Sequence, residues 1–214
     1  MLAAGVLVSG SGTNLQAIVD RIGAGRLDCR LSIVVSNRPG APGLARAEAA
    51  GIPTRVIDHR GFAKREDFDA ALADALRAAG VELVVLAGFD RLVTTVLLEA
   101  FPLRIMNIHP ALLPAFPGLH VQRKAVDHGV KVAGCTVHFV DEGVDTGPII
   151  IQAAVPVYDD DTEETLSARI LQQEHRIYPR AIQLFAEGRL EVQGRRVVGK
   201  GAAPAEGAAT LMNP

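Results

Sequence analysis

Short runs of apolar residues alternate along this chain with stretches in which the apolar positions recur at helical spacing. The runs read as strands and the stretches as helices with one face turned to a core. Residues 5–9 form the first strand pattern. After the turn Gly10-Ser11-Gly12-Thr13-Asn14, the residues Leu15, Ile18, Val19 and Ile22 fall on one helix face. A second strand covers 31–36 and ends at Asn37-Arg38-Pro39-Gly40; an Ala-rich helix then runs to Ala50, and 54–57 is extended. Over 64–79, Phe68, Leu72, Ala75 and Leu76 mark another helix face, with Gly80 placed as its stop. The continuous, β-branched run 81–86 predicts a central strand covered on both faces. A brief helix at 94–100 leads into an extended 104–109.

Beyond this point the pattern changes. Pro114, Pro117 and Gly118 interrupt the chain, and 121–128 forms a short helix. Cys135-Thr136-Val137-His138-Phe139-Val140 and 149–153 read as paired strands around a turn, and 162–187 as a long helix with a partial capping signal at Thr162 and Thr165. Strands alternating with helices predict an α/β fold: a Rossmann-like, mostly parallel twisted sheet with helices on both faces, followed by antiparallel strands and a long helix. Residues 1–198 are expected to form the domain, with halves at about 1–100 and 101–198. The Gly/Ala/Pro-rich 199–214 is expected to be a flexible tail.

Composition narrows the class. With 49% hydrophobic and 21% charged residues among 214, the chain is globular and long enough to bury a full core. No apolar run approaches the ~20 residues that span a bilayer, so no membrane role is expected. The start lacks the positive and apolar regions of a signal peptide, which predicts a cytoplasmic location. A formal charge of -2 without a basic block argues against nucleic-acid binding and for small-molecule substrates. Cys29 and Cys135 lack any ligand spacing and read as buried thiols.

The candidate chemistry centres on Asn107-Ile108-His109-Pro110. On a strand, Asn107 and His109 share one face and Met106 and Ile108 the other. Pro110 cannot donate to a sheet ladder, which ends the strand and leaves His109 at its rim. An amide and an imidazole together suit oxyanion stabilisation and proton transfer. Asp145, between Gly143 and Gly147, supplies a carboxylate, although stabilising a turn is the commoner role for Asp there. A lone His109 would by default be a core histidine; Asn107 on its face and Pro110 after it weigh against that. His120 and His138 form no metal-ligand spacing with His109, and no metal is expected.

The turn at 10–14 fails the dinucleotide test, having Leu15 where a glycine belongs and Ser36-Asn37 where an acidic residue belongs, so no NAD is expected. It lacks the Gly-Lys-Ser/Thr of a Walker loop as well. The short Ser, Thr and Asn side chains beside a helix start favour a single-phosphate site over a purely structural turn.

Read together, these segments resemble the folate-dependent phosphoribosylglycinamide formyltransferases over about residues 5–188. The resemblance rests on Gly10-Ser11-Gly12-Thr13-Asn14, Ala87-Gly88-Phe89-Asp90-Arg91-Leu92 and Asn107-Ile108-His109-Pro110-Ala111-Leu112-Leu113-Pro114. Pro117-Gly118-Leu119-His120, Gly134-Cys135-Thr136-Val137-His138-Phe139-Val140, Asp145-Thr146-Gly147-Pro148-Ile149 and Gln173-Glu174-His175-Arg176-Ile177-Tyr178-Pro179 follow in the family's order. The His-Pro-x-Leu-Leu-Pro element alone is shared with methionyl-tRNA and formyltetrahydrofolate-hydrolysing relatives. Those carry an extra domain, and they need no N-terminal phosphate turn of this kind.

The resemblance implies the formyltransferase fold and transfer of a formyl group from 10-formyltetrahydrofolate to the amine of glycinamide ribonucleotide, a step of purine (IMP) biosynthesis. It implies Asn107, His109 and Asp145 as the catalytic set, with His109 charged through its pairing with Asp145. Gly12, Thr13, Asn14 and Glu174 would meet the ribonucleotide, and Arg65, Asp90, Arg91, Leu92, Val93 and Asn107 the folate. Taken alone, Arg65 reads as a solvated charge and Glu174 as a helix-face carboxylate. Asp90 stands where the family commonly has an apolar residue such as Met, which bears on that wall of the folate pocket. Two rival readings remain: a formyltransferase for another amine, such as an amino sugar nucleotide, and a non-catalytic nucleotide-binding module with a structural His109. Oligomeric state is left open, a homodimer included.

Overall fold

The computed structural model describes residues 1–200 and the backbone of Thr210 and Leu211. The chain packs as two compact units that divide after Asn107. The first contains strands β1 (Leu2–Val8), β2 (Cys29–Ser36), β3 (Thr54–Val56) and β4 (Leu83–Leu86), and most of β5 (Ile105–His109). They lie in the order β3-β2-β1-β4-β5, every neighbouring pair parallel. Parallel neighbours require crossovers, and helices α1 (Thr13–Gly23), α2 (Pro42–Ala49), α3 (Arg65–Ala78) and α4 (Thr95–Ala100) supply them.

Sequence patterning accounts for this unit closely. All of β4 is buried between β1 and β5, as its unbroken apolar run requires. Phe68, Leu72, Ala75 and Leu76 are the buried face of α3. That helix closes as a Schellman motif: Gly80 takes φ +66° and bonds to Arg77 O, while Val81 N–H reaches back to Leu76 O. Val81 is thus consumed by the helix end, and β4 begins at Leu83 rather than at 81.

The second unit holds α5 (Val121–Asp127), β6 (Val132–Phe139), β7 (Ile149–Pro156) and α6 (Glu163–Ala186), then β8 (Leu190–Gln193), β9 (Arg196–Gly199) and β10 (Thr210–Leu211). Strands β6 and β7 are antiparallel and flank the Asp145 turn. Strand β9 meets β7 in parallel through Ile149 and Arg196, β8 folds back antiparallel on β9, and β10 pairs antiparallel with β7. The β8–β9 hairpin is a finding that the sequence pattern did not anticipate. Of the tail expected at 199–214, all but Gly199, Lys200 and the β10 backbone lies outside the described residues.

Helix α6 starts with a complete capping box, in which Thr162 and Thr165 each accept a backbone N–H from the other. The fold as a whole is mixed α/β, mostly parallel first and antiparallel later, with one long helix. Among the described residues no helix is long and apolar enough to cross a membrane. Nor is any group of three or more His, Cys, Asp or Glu placed to hold a metal ion.

Candidate active site

In the first unit, the turn after β1 carries Gly12 at the N-cap of α1, with Thr13 half-buried and Asn14 buried in the first helical turn. Gly12 takes φ +69°, and a Cβ there would lie 2.6 Å from Gly43 Cα. Only glycine allows the turn to approach the start of α2 so closely. Gly43 N–H donates to Gly10 O at 3.0 Å, and Arg46 Nε donates to Ser11 O at 2.8 Å, so α2 braces the turn. No side chain caps α1. Its first backbone N–H groups and the positive helix end are therefore oriented as an anion site requires.

The segment 90–93 lies elsewhere in the same unit. Asp90 does not form an apolar wall. Its carboxylate accepts from Asn37 Nδ2 at 2.9 Å and pairs with Arg38, while its own N–H donates to Ser9 Oγ at 2.9 Å. Ser9 Oγ in turn donates to Asn37 Oδ1 at 2.6 Å. Burial works against ionisation of Asp90, but the Ser9 and Asn37 hydrogen bonds and the Arg38 charge prevail and hold its carboxyl below the usual range. The Asp90 carboxylate thus ties the ends of β1 and β2 to the segment after β4.

Arg65, the first residue of α3, donates to Leu92 O at 3.0 Å. Together with Lys64, Arg91, Leu92, Phe62, Phe68 and Asp69 it lines a cavity of about 180 Å³, with Lys64, Arg65 and Arg91 as its cationic rim. In that lining, the carboxylate of buried Asp69 accepts the N–H of Thr94 at the start of α4.

Asn107 and His109 sit at alternate positions of β5, Asn107 half-buried and His109 buried. In the second unit His109 Nδ1 lies 3.4 Å from Asp145 Oδ2, and His109 Nε2 donates to Phe116 O at 2.9 Å. The imidazole thus faces the Asp145 carboxylate with Nδ1 while Nε2 is held by the Phe116 carbonyl. Asp145 Oδ2 also accepts the Gly118 N–H at 2.9 Å. The structure therefore brings together His109 and Asp145, which sequence spacing alone did not connect.

Residues that pattern reading missed complete this centre. His138 Nε2 lies 3.7 Å from Asp145 Oδ1, and its Nδ1 donates to Phe139 O at 2.8 Å. Burial lowers its pKa below the ordinary 6.5, outweighing the Phe139 carbonyl and the Asp145 charge. One carboxylate thus lies between two imidazoles, with His109 Nδ1 near one oxygen and His138 Nε2 near the other. The chain after His109 is anchored by Thr136, which accepts from Leu113 N–H at 3.0 Å and donates to Ala111 O at 2.7 Å. Gln152 Nε2 donates to Leu113 O and to Thr136 Oγ1. The left-handed, non-glycine Phe116, His120 and Asp145 all belong to this loop and turn. Backbone strain of that kind gathers where geometry serves function.

Glu174 lies in α6 and is 6% exposed, not the solvated carboxylate its place in a helix suggests. A buried carboxylate is rare unless it is paired. It adds its charge to the burial that pushes the Cys135 thiol upward.

Residues 4–182 match the formyl transferase family. The phosphoribosylglycinamide formyltransferases of Escherichia coli and Haemophilus influenzae are 43% and 42% identical, covering 87% and 88% of this chain and 88% and 89% of their own lengths. The trifunctional purine biosynthetic protein adenosine-3 of Drosophila melanogaster is 51% identical over 86% of the chain, which spans 14% of that protein. Among solved structures, glycinamide ribonucleotide transformylase 1 of Symbiobacterium toebii superposes with a TM-score of 0.92 at 61% identity, covering 93% of this chain and 94% of its own. The chain belongs to the formyl transferase family, and within it to the phosphoribosylglycinamide formyltransferases.

Proposed function

We propose that this protein transfers the formyl group of 10-formyltetrahydrofolate to the primary amine of glycinamide ribonucleotide, giving formylglycinamide ribonucleotide and tetrahydrofolate in purine biosynthesis. The observation that carries the reading is the His109–Asp145 pair, 3.4 Å apart, with His109 buried at the end of the strand that carries Asn107. The relatives named for this reaction support the choice of substrates. A cytoplasmic location goes with it.

The amine is itself the nucleophile, so the chain need supply none. Its attack on the formyl carbon forms a C–N bond and places negative charge on the former carbonyl oxygen. Asn107 donates its amide N–H to that oxyanion and His109 donates Nε2–H, the oxyanion taking the acceptor position that the Phe116 carbonyl holds. Asp145 orients the imidazolium and balances its charge, and accepts the proton that the amine loses, directly or through water. The intermediate collapses as the bond to the folate nitrogen breaks, and that nitrogen takes up a proton delivered through His109.

Gly12, Thr13 and Asn14 hold the phosphate by backbone N–H groups at the start of α1, and Glu174 accepts from the ribonucleotide. The folate carries carboxylates at one end, and the cationic rim of Arg65 and Arg91 beside Leu92 suits them. Asp90 and Val93 contribute through the backbone of the same segment.

Formyl transfer followed by folate absorbance, with glycinamide ribonucleotide and with an amino sugar nucleotide as alternative acceptors, tests the reading. Turnover is expected with the first acceptor only. Removing one oxyanion donor typically lowers kcat by ~10²–10³, so His109→Ala should lose about that much with little change in KM. Near-normal kcat in His109→Ala would dismiss the mechanism, and turnover with neither acceptor would dismiss the activity.

A further inference from the structure

Asp145 takes φ +55°, a left-handed conformation uncommon outside glycine, though Asp adopts it more readily than most residues. Within the turn, Asp141 Oδ1 accepts from Gly143 N–H at 3.1 Å and from Thr146 Oγ1 at 2.6 Å. Gly147 seals the far end, because a Cβ there would lie 1.8 Å from Phe139 O. One further contact comes from outside: Arg195 Nη2 donates to Thr146 O at 2.8 Å.

Arg195 and Gly194, the latter at φ +60°, form the two-residue loop of the β8–β9 hairpin, closed by the Gln193–Arg196 pair. The next residue, Arg196, pairs with Ile149 at the start of β7. The hairpin tip therefore grips the 146–149 segment twice, by a side chain on Thr146 O and by backbone pairing at Ile149. It lies beyond residues 4–182, the span that matches the family.

We propose that the β8–β9 hairpin is a brace for the Asp145 turn and that Arg195 is a positioning residue for the Asp145 carboxylate. A charge-assisted hydrogen bond to Thr146 O restricts rotation of the Thr146–Gly147 peptide, and with it the backbone path of the turn that sets the direction of the Asp145 side chain. The guanidinium is suited to this because it is planar and presents its donors in a fixed fork. The brace selects the turn conformation in which the carboxylate reaches both His109 and His138. This rests on the proposed part of Asp145 in the reaction.

The test uses the full chain carrying Arg195→Ala or Arg195→Lys. It reads kcat, KM for each substrate, the pH profile of kcat, and amide exchange over 143–147 without substrate. In Arg195→Ala, exchange in the turn should quicken and kcat should fall about 3- to 10-fold, the loss expected for one hydrogen bond of ordinary net strength. KM for the ribonucleotide should hold, the pH profile should shift as the His109–Asp145 contact loosens, and Arg195→Lys should fall between. Unchanged exchange over 143–147 would overturn the brace, as would faster exchange with unaltered kcat and pH profile. Asp145→Asn, measured beside them, separates the two claims. If it too kept full activity, the mechanism assigned to Asp145 would fail, whereas an impaired Asp145→Asn beside a normal Arg195→Ala would overturn the brace alone.

Discussion

His138 makes the site's stability depend on pH in a direction that follows from its surroundings. Its folded pKa lies below the ordinary 6.5 because burial penalises the imidazolium more than Phe139 O and Asp145 favour it. The unfolded chain therefore binds the proton more readily. The contribution to stability is complete above about 6.5 and is lost as the pH falls through the lower folded value. For His138→Gln, which cannot titrate, the stability gap to the parent should narrow between pH 7.5 and pH 5, measured by urea midpoints. A gap that stayed constant across that range would contradict the neutral His138. Other single positions differ in how far the chain itself revealed them. Strand alternation and Pro110 were enough to put Asn107 and His109 on one face at a strand end. Nothing local announced that Asp145 meets His109, that His138 lies on its other side, or that Asp90 pairs with Arg38, since each contact joins residues distant along the chain.

Helices and strands were legible where their signal is periodic or sits at a terminus. Helix α6 shows both the strength and the limit of this. Its capping box satisfies orphan N–H groups at the start, and Thr162→Ala should cost about 1 kcal/mol, read as a lower urea midpoint at unchanged slope. Formyl transfer should be unaffected at temperatures where the variant is folded. Pro179 lacks the N–H of a helix interior, yet the helix expected over 162–187 continues to Ala186. Burial of Ile170, Ile177, Tyr178, Ala181, Ile182 and Leu184 outweighs the single missing donor. The β8–β9 hairpin went unseen for the opposite reason. Its strands are too short to show a period, and their stability comes from pairing with each other and with β7. A Gly-x loop between the apolar residues of Leu190–Gln193 and Val197-Val198 was the available signal.

For the chain as a whole, substrate recognition should appear as thermodynamic linkage. Glycinamide ribonucleotide at 100 times its Kd should stabilise the folded protein by about 2.7 kcal/mol, seen as a raised unfolding midpoint that grows with ligand concentration. A Thr13→Asp variant, with like charge at the start of α1, should lose that response while keeping the one to folate. Equal loss of both would contradict the assignment of the turn to the phosphate. Element order, the parallel-then-antiparallel plan and the two candidate ends of the chemistry were present in the amino-acid order, because periodicity, caps, Pro and Gly act over a few residues. The partners of Asp145, the Arg38–Asp90 tie, the buried state of Glu174 and the hairpin against the Asp145 turn were settled by tertiary packing. Those depend on which distant segments share a core, and no local rule of backbone or side chain carries that information.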